Sequence, residues 1–184
     1  MNESYVFLAE GFEEVEALTS VDVLRRAGMP VTTVSISDSR EVLGAHGVPV
    51  VADAIIDDVD LLGAEWLILP GGMPGASNLK ACEPLCDALV ERNAQGKGIA
   101  AICASPSVVF GQLGLLKSRN AVCYPGMESI GMAGAKLSTA HAVTDGNIIT
   151  GKGPASAAQF ALAIVTATCG QPVADEVARG MLLK

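Results

Sequence analysis

Gly98-Ile99-Ala100-Ala101-Ile102-Cys103-Ala104-Ser105-Pro106 joins an apolar run to the start of a helical period. The first five residues carry no charge and no polar alternation, as expected of a strand covered on both faces, and a proline after Ser105 suits the first turn of a helix. Ala101 and Ser105, two places before and after Cys103, are as small as a sharp strand-to-helix turn requires. The stretch therefore has the form of a nucleophile elbow with cysteine where hydrolases place serine. Such a turn exposes its side chain and sets Cys103 at a helix N-terminus, where unpaired N–H groups and the dipole favour thiolate over thiol. The same spacing also fits a small cysteine buried at a strand end, which is how most free thiols behave.

The alternation continues outward. Val6 to Ala9, Val31 to Ser35, Trp66 to Leu69 and Ile148 to Thr150 read as further strands. Val15 to Ala27, Leu85 to Asn93, Ser105 to Leu113 and Ala155 to Thr168 read as helices, with a short C-terminal helix from Val173 to Leu182. Val15, Leu18, Val21 and Leu24 fall on one face of the first helix, and Gly28 is its stop signal. Gly47 to Ala52 and the flanks of Asp145-Gly146-Asn147 read as hairpin or edge elements, because Asp-Gly between β-like runs is a strong turn signal. Strands alternating with helices predict an α/β sandwich of three layers, doubly wound on a mostly parallel central sheet, with its site at the carboxyl ends of the strands. No repeat, low-complexity tract or linker divides residues 1–184, so they read as one domain.

Composition narrows the function. Twelve Lys+Arg stand against 20 Asp+Glu, a net charge of −8, and 50% of the residues are apolar. An acidic chain with 4% aromatics has neither the cationic field nor the stacking platforms that nucleic acids require. Met-Asn-Glu-Ser and the short apolar run from Tyr5 to Ala9 lack the basic start of a signal peptide and the length of a membrane span, so a cytoplasmic protein without membrane contact is expected. The five cysteines, Cys82, Cys86, Cys103, Cys123 and Cys169, are odd in number and scattered, which suits a reducing compartment. Cys82 and Cys86 flank Pro84 with no nearby His or further Cys to complete a metal site, and no metal is expected.

Two more stretches carry possible chemistry. In Leu69-Pro70-Gly71-Gly72-Met73-Pro74-Gly75, paired glycines after a strand let backbone N–H groups approach a ligand or an oxyanion, although Pro-Gly-Gly is also ordinary turn chemistry. In Glu10-Gly11-Phe12-Glu13-Glu14-Val15-Glu16, Glu13 and Glu14 are expected to stay solvated and stabilise the helix dipole. Glu16 sits deeper, at the carboxyl end of a strand that can neighbour the one ending in Cys103. A carboxyl held there in poor solvent has a raised pKa, keeps its proton and can donate a hydrogen bond to a thiolate.

Together these pieces resemble the ThiJ/PfpI superfamily, and within it most the branch of the Parkinson-associated protein deglycases, a class I glutamine amidotransferase-like domain. The resemblance rests on Glu13-Glu14-Val15-Glu16, Val21 to Gly28, Leu69-Pro70-Gly71-Gly72, Ala100 to Ala104 and Gly153-Pro154, in that order along nearly the whole chain. It implies a flavodoxin-like fold and a homodimer, with Cys103 reactive, Glu16 its protonated partner, and the N–H groups of Gly72 and Ala104 as the oxyanion pocket beside Gly71. It also implies a cofactor-free glyoxalase or deglycase acting on a small carbonyl or a glycated protein, or else a non-enzymatic oxidative-stress sensor or chaperone-like dimer.

Protease-like members carry His directly after the nucleophile, whereas Ala104 stands here, so peptidase activity is not expected. The deglycase branch places a His before a Pro on a later loop. The matching pair here is Tyr124-Pro125, and a phenol is a poor base near neutrality, which leaves the proton to Glu16 or water. The branch also brings a basic residue across the dimer toward the partner's cysteine, a role for which His46 is the candidate. His141 reads as a surface residue, and Cys123, next to Tyr124, as a candidate resolving thiol.

Overall fold

The computed structural model describes residues 1–183. In chain order its elements are β1 (Ser4–Leu8), α1 (Glu14–Arg26), β2 (Val31–Ser35), β3 (Glu41–Leu43), β4 (Pro49–Val51), β5 (Ala54–Ile55), β6 (Trp66–Leu69), α2 (Gly75–Ala81) and α3 (Glu83–Ala94). They continue with β7 (Gly98–Ile102), a wide π turn over Pro106–Gly111, β8 (Asn120–Ala121), α4 (Glu128–Gly131), β9 (Lys136–Leu137), β10 (Ala142–Asp145), β11 (Ile148–Gly151), α5 (Ala157–Cys169) and α6 (Gln171–Gly180).

The central sheet runs β10-β11-β7-β6-β1-β2-β5, and every pairing is parallel except the β10–β11 hairpin built on the Asp-Gly turn. Strand side chains alternate between two cores. Val6, Leu8, Ile68, Ala100 and Ile102 pack with Val21, Leu24, Phe160 and Ile164 of α1 and α5. Tyr5, Phe7, Leu67, Leu69, Ile99 and Ala101 pack with Leu79, Leu85 and Leu89 of α2 and α3. Both faces are thus covered, which is why these strands show no polar alternation. The chain leaves β1 toward β2 on one side and later enters β6 on the other, so the sheet changes direction between β1 and β6. A crevice opens at the carboxyl ends of strands at such a point. No helix among the described residues is long and apolar enough to cross a membrane.

Two local expectations are corrected. The buried face of α1 is Glu16, Ala17, Ser20, Val21 and Leu24, with Val23 also buried, while Val15 is 52% and Leu18 42% exposed. The apolar periodicity was ambiguous because apolar residues occupy two sides of this helix, and docking of Glu16 against Gly71 selects which side turns inward. The helix expected over Ser105 to Leu113 is the shorter, wider turn Pro106–Gly111. There Ser107 Oγ donates to the Met127 carbonyl at 2.7 Å, and Gly111 lies so close to the Gly131 backbone that a Cβ would overlap it. The hairpin or edge element expected over Gly47 to Ala52 is present as β4, whose antiparallel partner is β3.

Candidate active site

Cys103 follows β7 with φ +66°, in the left-handed region that disfavours any residue with a Cβ by roughly 1–2 kcal/mol. Neighbouring segments hold it there. Its N–H donates to the Gly151 carbonyl at 2.9 Å, and its own carbonyl accepts the Tyr124 N–H at 2.8 Å. Ser105 Oγ donates to the Pro70 carbonyl, tying the elbow to the loop after β6. A strained, over-determined backbone at a strand end is a frequent companion of function.

The sulfur faces that glycine loop. N–H groups of Gly72 and Ala104 donate to it, and Gly72 reaches this position with φ +84°. Gly71 permits the convergence, since a Cβ there would come within 2.6 Å of the Cys103 Cβ and 2.9 Å of Glu16 Oε2. Glu16 is 0% exposed, at the start of α1. Its N–H donates to Glu13 Oε2 at 2.8 Å, and its Oε2 accepts the Gly71 N–H at 2.7 Å. Oε1 is buried without a hydrogen bond of regular geometry, and beyond Gly71 the carboxyl interacts with the thiol of Cys103.

Burial pushes the Glu16 carboxyl up to about 7, the charge of Glu13 adds to this, and the contacts with Gly71 and Cys103 oppose it. Burial, followed by the charge and hydrogen bonding of ionised Glu16, pushes the Cys103 thiol up to about 12, against the pull of the Gly72 and Ala104 N–H groups. The thiolate expected at a helix N-terminus is therefore conditional. When Glu16 takes the proton, its two upward contributions vanish and the Gly72 and Ala104 N–H groups, which favour the anion, are opposed by burial alone. The two groups titrate as a pair sharing one proton.

Glu13 and Glu14 are not solvated as expected but nearly buried. Glu13 caps α1. Glu14 accepts from the His46 N–H at 2.7 Å, meets His46 Nδ1 at 2.8 Å and takes a longer contact from the Val48 N–H. Burial raises the Glu14 pKa, but the hydrogen bonds from His46 and Val48 outweigh it and leave it below the usual range. The same contact raises His46. Glu13, Glu14 and His46 offer ligand atoms within 4.8 Å of one another, a grouping the sequence spacing concealed, and the His46–Glu14 ion pair accounts for its closest contact. His46 is thus engaged with its own chain through a side chain that remains 72% exposed.

Tyr124 is bound to the elbow through its backbone, while its half-exposed ring lies over Gly153, where a Cβ would meet Cδ2 at 3.3 Å. Cys123 packs in the core on the α2–α3 side of the sheet, whereas Cys103 belongs to the core on the α1–α5 side. His141 is exposed and bonds Ser156 Oγ through Nδ1 at 2.9 Å. Sequence reasoning missed the cleft of about 260 Å³ that Tyr124, His141 and Lys152 line together. Only the β10–β11 pairing, which ends with the Lys152 N–H on the His141 carbonyl, brings the last two side by side.

Residues 3–167 match the model of the DJ-1/PfpI family. The chain belongs to that family. Protein DJ-1 homolog B of Arabidopsis thaliana is 34% identical over 96% of this chain, which spans 40% of that protein's length. The Parkinson disease protein 7 homolog of Danio rerio is 35% identical, with 97% of this chain and 96% of the relative covered. A Caenorhabditis elegans DJ-1/PfpI relative, 32% identical over 85% of this chain and 82% of its own, is named glutathione-independent glyoxalase DJR-1.2. Among solved structures, oxidised Toxoplasma gondii DJ-1 superposes with TM-score 0.94 at 36% identity, covering 99% of this chain and 98% of that one. The flavodoxin-like architecture is shared with this DJ-1 structure.

Proposed function

We propose that the protein converts small 1,2-dicarbonyls such as methylglyoxal or glyoxal into 2-hydroxy acids, with Cys103 as nucleophile and Glu16 as proton carrier. The observation that carries this reading is the buried Glu16 carboxyl in contact with the Cys103 thiol beneath the N–H groups of Gly72 and Ala104. The thiolate adds to the aldehyde carbon, forming a C–S bond, and the oxygen gathers negative charge against the two N–H groups and takes a proton from Glu16. Glu16, now ionised, removes the hydrogen of the former aldehyde carbon as a proton and delivers it to the neighbouring carbon, while the hydroxyl proton on the first carbon passes to the neighbouring oxygen. The first carbon is thereby oxidised to a thioester and the second reduced to an alcohol, so no external electrons are needed. Water then attacks the thioester, the C–S bond breaks and the 2-hydroxy acid leaves. Removal of early carbonyl adducts from glycated proteins uses the same first step.

The Caenorhabditis elegans relative's name supports this reading, and the absence of His after Cys103 speaks against a peptidase. The working unit is a homodimer, for which exposed Val15, Leu18, Leu43, Val48 and Val51 offer apolar surface, and its place is a reducing cytoplasm that keeps five thiols free. Purified protein with methylglyoxal and no glutathione is expected to form lactate, measured with lactate dehydrogenase. Formation no faster than in buffer overturns the reading.

A second reading is favoured by the oxidised state of the Toxoplasma gondii structure: the chain senses oxidative stress through Cys103. Each peroxide transfers one oxygen to the thiolate and leaves as water, and protonated Glu16 can donate a hydrogen bond to the resulting sulfinate. Intact-mass and peptide mapping after mild peroxide should place two oxygens on Cys103. Prior oxidation of Cys82 or Cys169, the two less buried thiols, rejects it.

A further inference from the structure

We infer that the cleft over Gly153–Pro154 is the subsite for the substrate's side chain, and that it selects 2-oxoaldehydes with a flat apolar body ending in a carboxylate. This rests on the glyoxalase reading and names its substrate class.

The direction comes from what surrounds Cys103. Toward β6 and β1 the sulfur is flanked by Gly71, Gly72 and Glu16, whose N–H groups and carboxyl occupy that side. In this proposal the remainder of a bound dicarbonyl extends the other way, toward β11. There the Cys103 N–H meets Gly151 and its carbonyl meets Tyr124, so both walls of the cleft begin one residue or less from groups bonded to the elbow.

The cleft is about 260 Å³ and is lined by Tyr124, Pro125, Pro154 and Ala155, with His141, Lys152 and Ser156 at its polar side. A cavity of about 150 Å³ admits benzene, so this one takes an aryl group and a short polar extension. The Tyr124 ring, resting on Gly153, offers a flat face for stacking. The Lys152 ammonium forms no ion pair among the described residues, and no carboxylate lines the cleft. In a chain of net charge −8, a cation without an ion pair on the wall of this cleft favours an anionic ligand locally. His141, held by Ser156 through Nδ1, keeps Nε2 without a partner among the described residues and supplies a second polar contact.

The test compares kcat/KM for methylglyoxal, phenylglyoxal and 4-carboxyphenylglyoxal. The native protein is expected to prefer the carboxylated aryl substrate over phenylglyoxal by about tenfold, the range of one charge-assisted contact. Lys152→Met should erase that preference and Lys152→Arg should restore it. Tyr124→Ala should lower the aryl-to-methyl ratio by about fivefold, the loss of one aromatic contact. Turnover of methylglyoxal with equal kcat/KM for the two aryl substrates overturns the subsite while leaving the glyoxalase reading standing. A preference that survives in Lys152→Met does the same, and lack of turnover of all three aldehydes removes the glyoxalase reading and the subsite with it.

Discussion

Cys103→Ser is expected to lower lactate formation from methylglyoxal by about 10³-fold or more, because a serine hydroxyl at this position has no means of ionising near neutrality. The N–H groups of Gly72 and Ala104 that favour a thiolate are too few to bring an alcohol into range, and Glu16 competes for the same proton. Structural damage is a poor alternative explanation. The replaced atom is one sulfur in a site 7% exposed, the left-handed backbone at +66° is held by Gly151 and Tyr124 rather than by the side chain, and serine is no larger. Thermal unfolding should therefore shift by a few degrees at most while turnover disappears, and a Cys103→Ser protein that keeps native turnover would exclude covalent catalysis.

Glu16→Gln is expected to act in opposite directions on activity and stability. Turnover should fall by about 10²- to 10⁴-fold, since the amide keeps an acceptor for the Gly71 N–H but neither gives nor takes the proton the reaction moves. Stability should rise at neutral and alkaline pH. The carboxyl is pushed from an ordinary 4.5 to about 7 in the folded chain, so folded protein retains a proton that the unfolded chain releases. Below about pH 4.5 both states carry it and Glu16 imposes no penalty. As pH rises toward about 7 the native protein loses stability, reaching a deficit of about 3 kcal/mol above that value. Glutamine has no such dependence. Denaturant unfolding of both proteins at pH 5 and pH 8 measures the difference, which should be small at the first and large at the second. A Glu16→Gln protein no more stable at pH 8 than the native one would mean the carboxyl is not held in poor solvent. The native pH–rate profile should rise through about pH 7, where the pair loses its first proton.

Much of the fold was legible because its determinants are local or periodic. Val31–Ser35, Trp66–Leu69 and Gly98–Ile102 are recognisable as strands from short apolar runs bounded by turn residues, and Asp145-Gly146 announces the β10–β11 hairpin. The helices α2 and α4 were missed, since α2 opens at the end of Gly71-Gly72-Met73-Pro74-Gly75, which reads as loop, and α4 is a single turn. The face of α1 was misjudged for a different reason. Val15 and Leu18 are apolar yet exposed, while Glu16 and Ser20 are buried, a pattern that hydrophobicity alone inverts.

The sequence by itself determined the layered α/β class, the elbow at Cys103 and the choice of Glu16 as its partner, because strand ends, small residues and turn glycines are written within a few positions of one another. Only the tertiary structure decided how the groups meet. It is the order β11-β7-β6-β1 that carries Glu16 from the end of β1 past Gly71 to a cysteine 87 residues later, and that sets Lys152 and His141 on one cleft. Arg92 shows the same physics away from the site. Nothing in Leu85 to Asn93 marks it as different from a solvated helical arginine, yet it is fully buried and donates to the carbonyls of Leu61, Leu62, Ala64, Glu65 and Gly98. A charge goes inside when enough backbone oxygens converge on it, and a proton stays on a carboxyl when water is kept away from it. Both conditions are set by distant segments packing together rather than by the neighbours in the chain.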